Sequence, residues 1–446
     1  MTTSASGAAE RFDVVIIGAG VTGASLLYLL ARYTDIGSVA VIEKEGGVAE
    51  ISSHASHNSQ TLHFGDIETN YTLEKAAKVK AAAEMVVRYA SGLPDGGRIV
   101  RPMQKMVLGV GAREVEALRR RFEEFLALFP ETRFAGREEL AELEPGVVEG
   151  RDSDEPIAAI YNPRGFAVDF GALAASFVEQ AKRMKPDGIA FRFGQRARSV
   201  RAVGGRYRVE LDGRTLDAGA VVVAAGAHSL HLAHALGYGL DYTLLPVAGD
   251  FFTAPNVLRG KVYTLQEKLL PFAAVHADPD VEDAGRMRLG PVAVATPLLE
   301  PKRWKTMFDF FKVFRPDADT FSTVLKVNGE PIVRRFIIRH LAYYLPIVGR
   351  RLFVRDARKI IPGLRVEDVR FGKDLGGVRP QVADIRARTL LLGEAKIADG
   401  GLIFNITPSP GASVCLKNAA DDARSLVSHF KGRFRLDEAA LGRELG

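Results

Sequence analysis

The sequence predicts an α/β fold: a parallel-sheet domain assembled from separated parts of the chain, with an antiparallel sheet plus helices inserted between them. Three observations carry this. FDVVIIGAGVTGASLLYLLARY, from Phe12, runs from an apolar strand through Gly18, Gly20 and Gly23 into a helix, and a second apolar strand, Val39 to Ile42, ends in Glu43. From Tyr242 to Ala295 apolar and polar residues alternate amid frequent Pro and Gly, the period of an antiparallel sheet. GGLIFNITPSPGASVCLKNAADDARSLVSHF, near the end, returns to strand, glycine loop and helix, the order in which the chain begins.

The first stretch is Rossmann-like. Gly18 permits a tight turn, Gly20 lets a pyrophosphate approach the backbone, and Gly23 lets the helix pack closely on the strand. Free N–H groups and the dipole at the helix start then face phosphate without any basic side chain. Glu43, twenty residues beyond Gly23, stands where an acceptor for ribose hydroxyls is expected. Together these features predict a dinucleotide site.

At 446 residues and 47% hydrophobic content the chain can fill two or three cores. Its one cysteine, Cys415, excludes an internal disulfide, and MTTSASGAAER at the start carries no apolar leader segment, so a cytosolic setting is expected. No run approaches the ~18 apolar residues of a spanning helix, which limits membrane contact to the periphery. The net charge of +6 is local: Glu300 to Arg365 holds 15 Lys and Arg against six Asp and Glu. One positive face facing anionic lipid or an acidic partner is therefore expected, rather than a basic groove for nucleic acid.

In order, residues 51 to 72 (ISSHASHNSQTLHFGDIETNYT) are polar and aperiodic, a loop placed to carry ligand contacts. Leu73 to Ala90 reads as a helix, 103 to 111 as a strand, Ala112 to Phe129 as a charged surface helix, and Asp169 caps a helix from Phe170 to Met184. RFGQRARSVRAVGG, RYRVELDG and RTLDAG form a meander that delivers the apolar strand Ala220 to Ala224 onto a second small turn, Ala225-Gly226. Pro301 to Pro362 is mostly helical, and the last dozen residues read as a tail. The division expected is 1–75, 145–240 and 366–435 for the dinucleotide domain, and 76–144 and 241–365 for the inserted one.

Three glycine turns, 18 to 23, 225 to 226 and 409 to 413, would converge if the C-terminal part returned to the first domain. A nicotinamide enzyme does not need its two chain ends joined, whereas a long buried cofactor held at both ends does, so FAD is the expected cofactor. FDVVIIGAGVTG with Glu43, AVVVAAGA, GGVRP and PSPGAS resemble the FAD-dependent oxidoreductases that include D-amino-acid oxidase and L-2-hydroxyglutarate dehydrogenase. Within these, SSHASHNSQTLHFGDIETNYTLEKAAKVK, LPVAGDFF, RGKVYTLQ, LPFAAVHADPD, GGVRPQV and FNITPSPGASVCLKNA resemble the malate:quinone oxidoreductase family across nearly the whole chain. The resemblance implies oxidation of (S)-malate to oxaloacetate, with electrons passed to a membrane quinone. It implies that Gly18, Gly20, Gly23 and Glu43 hold the ADP half and that Ser52 and Ser53 approach phosphates and flavin. Gly226 would lie beside the cofactor, with Gly411, Ala412 and Ser413 at the flavin's pyrimidine edge.

Oxidising a 2-hydroxy acid needs a base for the hydroxyl proton, and His63 after the polar loop and His276 before ADPD are equal candidates, the other binding a substrate oxygen or carboxylate. His228, His231, His234 and His429 sit on apparent helices and read as ordinary residues. Arginine matches a carboxylate with paired donors, and Arg379 in GGVRPQ is the first choice, because the related segment of the superfamily places its arginine over substrate. Arg288 and Lys261 are candidates for the second carboxylate, with Tyr263 and Gln266 as polar contacts. The histidines lack metal-ligand spacing, so no metal is expected.

WKTMFDFFKVF places Trp304, Met307, Phe308, Phe311 and Phe314 on one helical face, with Lys305, Asp309 and Lys312 opposite; IVRRFIIRHLAYYL adds aromatics and arginines. Such helices, within 302–360, fit an anchor on the inner face of the cytoplasmic membrane, where a lipid-soluble quinone is met. A cap helix lying on the inserted domain's core is the plain alternative. Two rival functions share much of this pattern: an FAD enzyme for L-2-hydroxyglutarate or another 2-hydroxy acid, and a flavin-bearing nucleic-acid binder using the 300 to 365 face.

Overall fold

The computed structural model describes residues 9–266, 274–391, 395–407 and 410–446. Positions 1–8, positions 270–273 of LPFAAVHADPD, and positions 408 and 409 of PSPGAS lie outside the described residues. Two sheets organise the rest. In the first, strands Leu402–Ile406, Arg214–Val223, Glu10–Ile17, Val39–Ile42 and Ile189–Arg192 lie side by side in that order, all parallel. The meander strands Ser199–Val203 and Arg206–Leu211 and the edge strand Ala395–Asp399 extend it antiparallel. Val14, Val15 and Ile16 are fully buried, as a strand covered on both faces requires, each such side chain contributing about 1.5–3 kcal/mol.

Helix Val21–Tyr33 is apolar nearly all round because it is buried between helices Phe170–Met184 and Cys415–His429. Gly23 is required there: a Cβ would meet the Gly18 carbonyl oxygen at 2.0 Å. Asp169 caps Phe170–Met184 as expected, its carboxylate accepting the Ala172 N–H at 2.9 Å.

The second sheet has nine strands, in the order Thr389–Leu390, Arg370–Asp384, Tyr242–Pro255, Arg286–Ala295, His276–Pro279, Lys261–Thr264, Lys105–Val110, Ile157–Asn162 and Arg133–Gly136. Its pairings are antiparallel except Lys261–Thr264 with Lys105–Val110. Helices Met307–Phe314, Ala318–Gly329, Pro331–Ala342 and Val348–Ala357 follow.

Several expectations are corrected. Ile157–Asn162 and Arg370–Asp384 belong to the second sheet, although 145–240 and 366–435 assigned them to the first domain. Helix Leu73–Ser91, assigned to the inserted part from 76 onward, packs its buried face into the first core. The last residues are no tail: helix Glu438–Glu444 buries Leu441 and pairs Glu444 with Arg32 at 2.7 Å. Asp309 and Phe314 do not lie as the amphipathic reading has them, since Asp309 is buried and Phe314 packs against the core that holds Phe310 and Val313.

Candidate active site

A cleft of about 440 Å³ runs between the two sheets, and Gly18, Gly20, Gly226, Gly377 and Gly411 all line it. At one end the Glu43 carboxylate accepts the N–H of Ala19 at 2.8 Å and that of Glu45 at 2.9 Å, which fixes it at the glycine turn. Gly18 has φ +109°, and a Cβ there would meet the Ala224 carbonyl oxygen at 2.3 Å, so the two small turns touch. Gly20 is open by comparison, a Cβ meeting only Ser53 Oγ, at 3.3 Å. Ser53 accepts the N–H of Val21 at 3.0 Å, bringing the 51–61 loop over the helix start. Ser52, Ser53, Gly226, Ala412 and Ser413 line the same cleft, so the predicted cofactor residues converge there, with Gly23 one layer behind.

At the other end the strand Arg370–Asp384 carries Arg379 into the cleft, opposite Val247 in register. Among the described residues no acid pairs with this guanidinium; burial pulls its pKa down, with the neighbouring Tyr263 acting against this. Gly377 permits the approach of the 51–61 loop, since a Cβ would sit 2.1 Å from the His57 carbonyl oxygen. His63 also lines the cleft, its Nδ1 bonded to the Glu68 carboxylate. Burial raises the Glu68 carboxyl, but its contacts with His63 and the charge of Lys105 outweigh it and hold it below the ordinary value. The loop is braced by Arg121, which donates to the carbonyls of Glu68 and Tyr71 at 2.7 and 2.8 Å, and by the buried Lys105–Asp66 pair at 2.8 Å.

His276 lies one layer deeper. Its ring stacks on Tyr263 at 4.5 Å and meets Phe251, which lines the cleft, edge-on. Burial pulls its pKa down, and Asp278, whose Oδ2 stands 2.7 Å from Nδ1, acts against this. Lys261 serves that same aspartate: Nζ is 3.6 Å from Asp278 Oδ1 and donates to the Ser59 carbonyl at 3.2 Å. Tyr263 exchanges a hydrogen bond of 2.7 Å with Thr61, which lines the cleft. Gln266 donates its backbone N–H to Thr69 and is not part of the lining.

Arg288 is not brought to the cleft. It is buried against Asp280 at 2.9 Å and donates to the carbonyl of Ala55 at 2.8 Å, so it fastens the 51–61 loop to the second sheet. The sequence reading missed Lys44, Gln195, Arg196, His228, Glu300 and Asp309 as lining residues. RFGQRARS read as strand only; its short parallel strand ends at Arg192, and 195–198 turn into the cleft. No group of His, Cys, Asp and Glu that could hold a metal occurs among the described residues.

A glycine turn at a helix start, an acid at the end of the second strand, and a cleft reaching the start of a distant helix fit an extended dinucleotide. A family model described as DAO, FAD dependent oxidoreductase, matches residues 13–412. The fold and cleft thus define an FAD-dependent oxidoreductase. A probable malate:quinone oxidoreductase of Campylobacter jejuni is 40% identical over 440 residues, covering 96% of this chain and 98% of that protein. A malate:quinone oxidoreductase of Helicobacter pylori is 39% identical over 435 residues, with 96% of each chain covered. A solved structure of dithionite-reduced L-alpha-glycerophosphate oxidase from Mycoplasma pneumoniae, with FAD bound, shares the fold, with TM-score 0.64 at 17% identity over 94% of this chain and 95% of that one. The chain belongs to the malate:quinone oxidoreductase family.

Proposed function

We propose that the protein oxidises (S)-malate to oxaloacetate and passes the electrons to a membrane quinone. FAD, when bound, supplies the two-electron acceptor for C2 of malate and the donor for quinone. Gly18, Gly20 and Gly23 shape the turn that admits the pyrophosphate, Glu43 accepts from the ribose hydroxyls, and Ser52, Ser53 and Gly226 border the middle of the cofactor. Gly411, Ala412 and Ser413, just before helix Cys415–His429, border the flavin end, where a helix start favours negative charge.

The observation that carries the substrate reading is Arg379. A half-buried guanidinium that no acid among the described residues pairs with is costly, and a substrate carboxylate completes it with two parallel hydrogen bonds. His63 takes the hydroxyl proton of malate through Nε2, because Nδ1 is held by Glu68 and the ring faces the cleft. His276, one layer behind the cleft lining, supports the pocket through Tyr263 rather than receiving the proton. Lys261 and Arg288 are already paired with Asp278 and Asp280, so they brace the 51–61 loop from behind instead of gripping the second carboxylate.

The basic helices supply the membrane face. Trp304 and Phe308 are 69% and 68% exposed, and Phe311, Leu325, Ile338 and Ile347 stand out from the following helices. Apolar side chains interleaved with arginines and lysines suit the headgroup region of anionic lipid at the inner face of a cytoplasmic membrane. No helix among the described residues is long and apolar enough to cross a membrane. The test is co-sedimentation with vesicles containing anionic lipid: Phe308→Ser with Ile338→Ser should stay in the supernatant while still reducing a water-soluble dye with malate. Unchanged sedimentation would remove the lipid reading.

A further inference from the structure

The residue pairs around Glu300 and Asp309 point to a device that neither catalysis nor lipid contact uses. Residues 299–312 leave the second sheet and cross back over the first. Leu299, Phe310 and Val313 are buried in the core beneath the meander, and Leu299, Glu300, Asp309 and Lys312 line the cleft. Three consecutive residues at the end of the second strand then work together. Glu43 faces the glycine turn, Lys44 bonds Glu300, and Glu45 holds Arg303 through a pair of bonds, one at 3.0 Å. On the far side Arg196 bonds Asp309 at 2.5 Å, and His228 lies between the two acids, 3.4 Å from Glu300 and 3.6 Å from Asp309. His228, against burial and with Arg196, holds the Asp309 carboxyl well below its usual range, so the clasp is charged.

An acid at the end of the second strand marks the ribose end of a dinucleotide site. The clasp is built on the neighbours of that acid and on the 195–198 turn, which line the same cleft. We propose that residues 299–312 form a strap that retains the adenosine end of the bound dinucleotide, with Glu300 and Asp309 as its anchoring acids. The strap rests on the FAD reading above. It explains why the inserted segment returns to the first domain, and why acids as well as bases line that end of the cleft: they hold the strap, and backbone and Glu43 hold the nucleotide. These are positioning residues, acting through the strap.

The test measures cofactor release from the full-length holoenzyme by the recovery of free-flavin fluorescence after dilution. Asp309→Asn combined with Glu300→Gln should release FAD about tenfold faster than the parent, the effect of neutralising both anchoring acids. Binding of FMN to the apoprotein, which has no adenosine for the strap to cover, should be unchanged. Release at the parental rate, or equal weakening of FAD and FMN, overturns the strap. Should the double variant fail to fold, Arg303→Gln at the exposed edge serves: release about twofold faster supports the proposal, and parental release overturns it. A parent protein that binds no FAD overturns the cofactor site itself, a result separate from any comparison of variants.

Discussion

The hydroxyl of Ser413 accepts the backbone N–H of His63 at 3.0 Å, although 350 residues separate the two along the chain. That bond ties the turn before helix Cys415–His429 to the loop carrying the proposed base, so early and late parts of the chain meet where the chemistry is placed. Ser413→Ala should lower kcat about fivefold, the worth of one net hydrogen bond, with FAD still bound. Steady-state kinetics on flavin-saturated enzyme checks it, and an unchanged kcat would mean the loop holds without this tie.

His63 and His276 are separable by depth. Removing a general base costs about 10²–10⁴ in rate, so His63→Ala should fall in that range. His276→Ala, which removes a ring packed between Tyr263 and Phe251, should act chiefly on stability and KM. Rapid-mixing measurement of the reductive half-reaction distinguishes them; the reverse ranking would move the base to His276.

The two arginines should differ in kind. Arg379→Ala removes a charged hydrogen-bonding partner of the substrate, and KM for malate should rise about 10- to 100-fold while FAD affinity holds. Arg288→Met leaves Asp280 buried without its main partner and should cost about 3–5 kcal/mol of unfolding free energy. Denaturant unfolding of the flavin-bound protein alongside malate kinetics tests both, and a raised malate KM in a stable Arg288→Met enzyme would return that residue to the substrate site.

His340 makes stability depend on pH. The backbone N–H of Ala293 donates to its Nδ1 at 2.9 Å, and burial lowers its pKa to about 4. Above the ordinary value of 6.5 both folded and unfolded chains carry it neutral and stability is complete. As pH falls from there towards about 4, the unfolded chain binds the proton first, so about 3 kcal/mol is lost across that window. Urea unfolding of the parent and of His340→Asn at pH 7.5 and about pH 4.5 measures the difference; equal losses in both would assign the pH dependence elsewhere.

Local signals explain what was legible. Gly18, Gly20, Gly23 and Glu43 each do a job that nearly one residue type can do, and the alternation from Tyr242 to Ala295 records a sheet with two unlike faces. Ile157–Asn162 gave no such clue, being buried on both faces, and an apolar run of that kind fits either sheet. The acid partners of Arg288 and Lys261, Asp280 and Asp278, gave no signal in the sequence, because only the register of strand His276–Pro279 with its neighbours brings them near. The helical period of residues 304–314 was read correctly for Trp304 and Phe308. It failed for Asp309, because that helix has three environments, solvent, core and cleft, and an acid facing a cleft has the same spacing as one facing water. Glu68 was invisible as His63's partner, since nothing in a polar loop says which side chains turn inward.

The central claim is that Arg379 and His63 present malate to FAD in one cleft. Anaerobic mixing of the flavin-bound protein with malate, lactate and L-2-hydroxyglutarate in turn, followed by the visible absorption band of oxidised flavin, tests it most directly. The account predicts rapid bleaching by malate alone. Bleaching by L-2-hydroxyglutarate with malate inert, or no bleaching by any hydroxy acid, would contradict it.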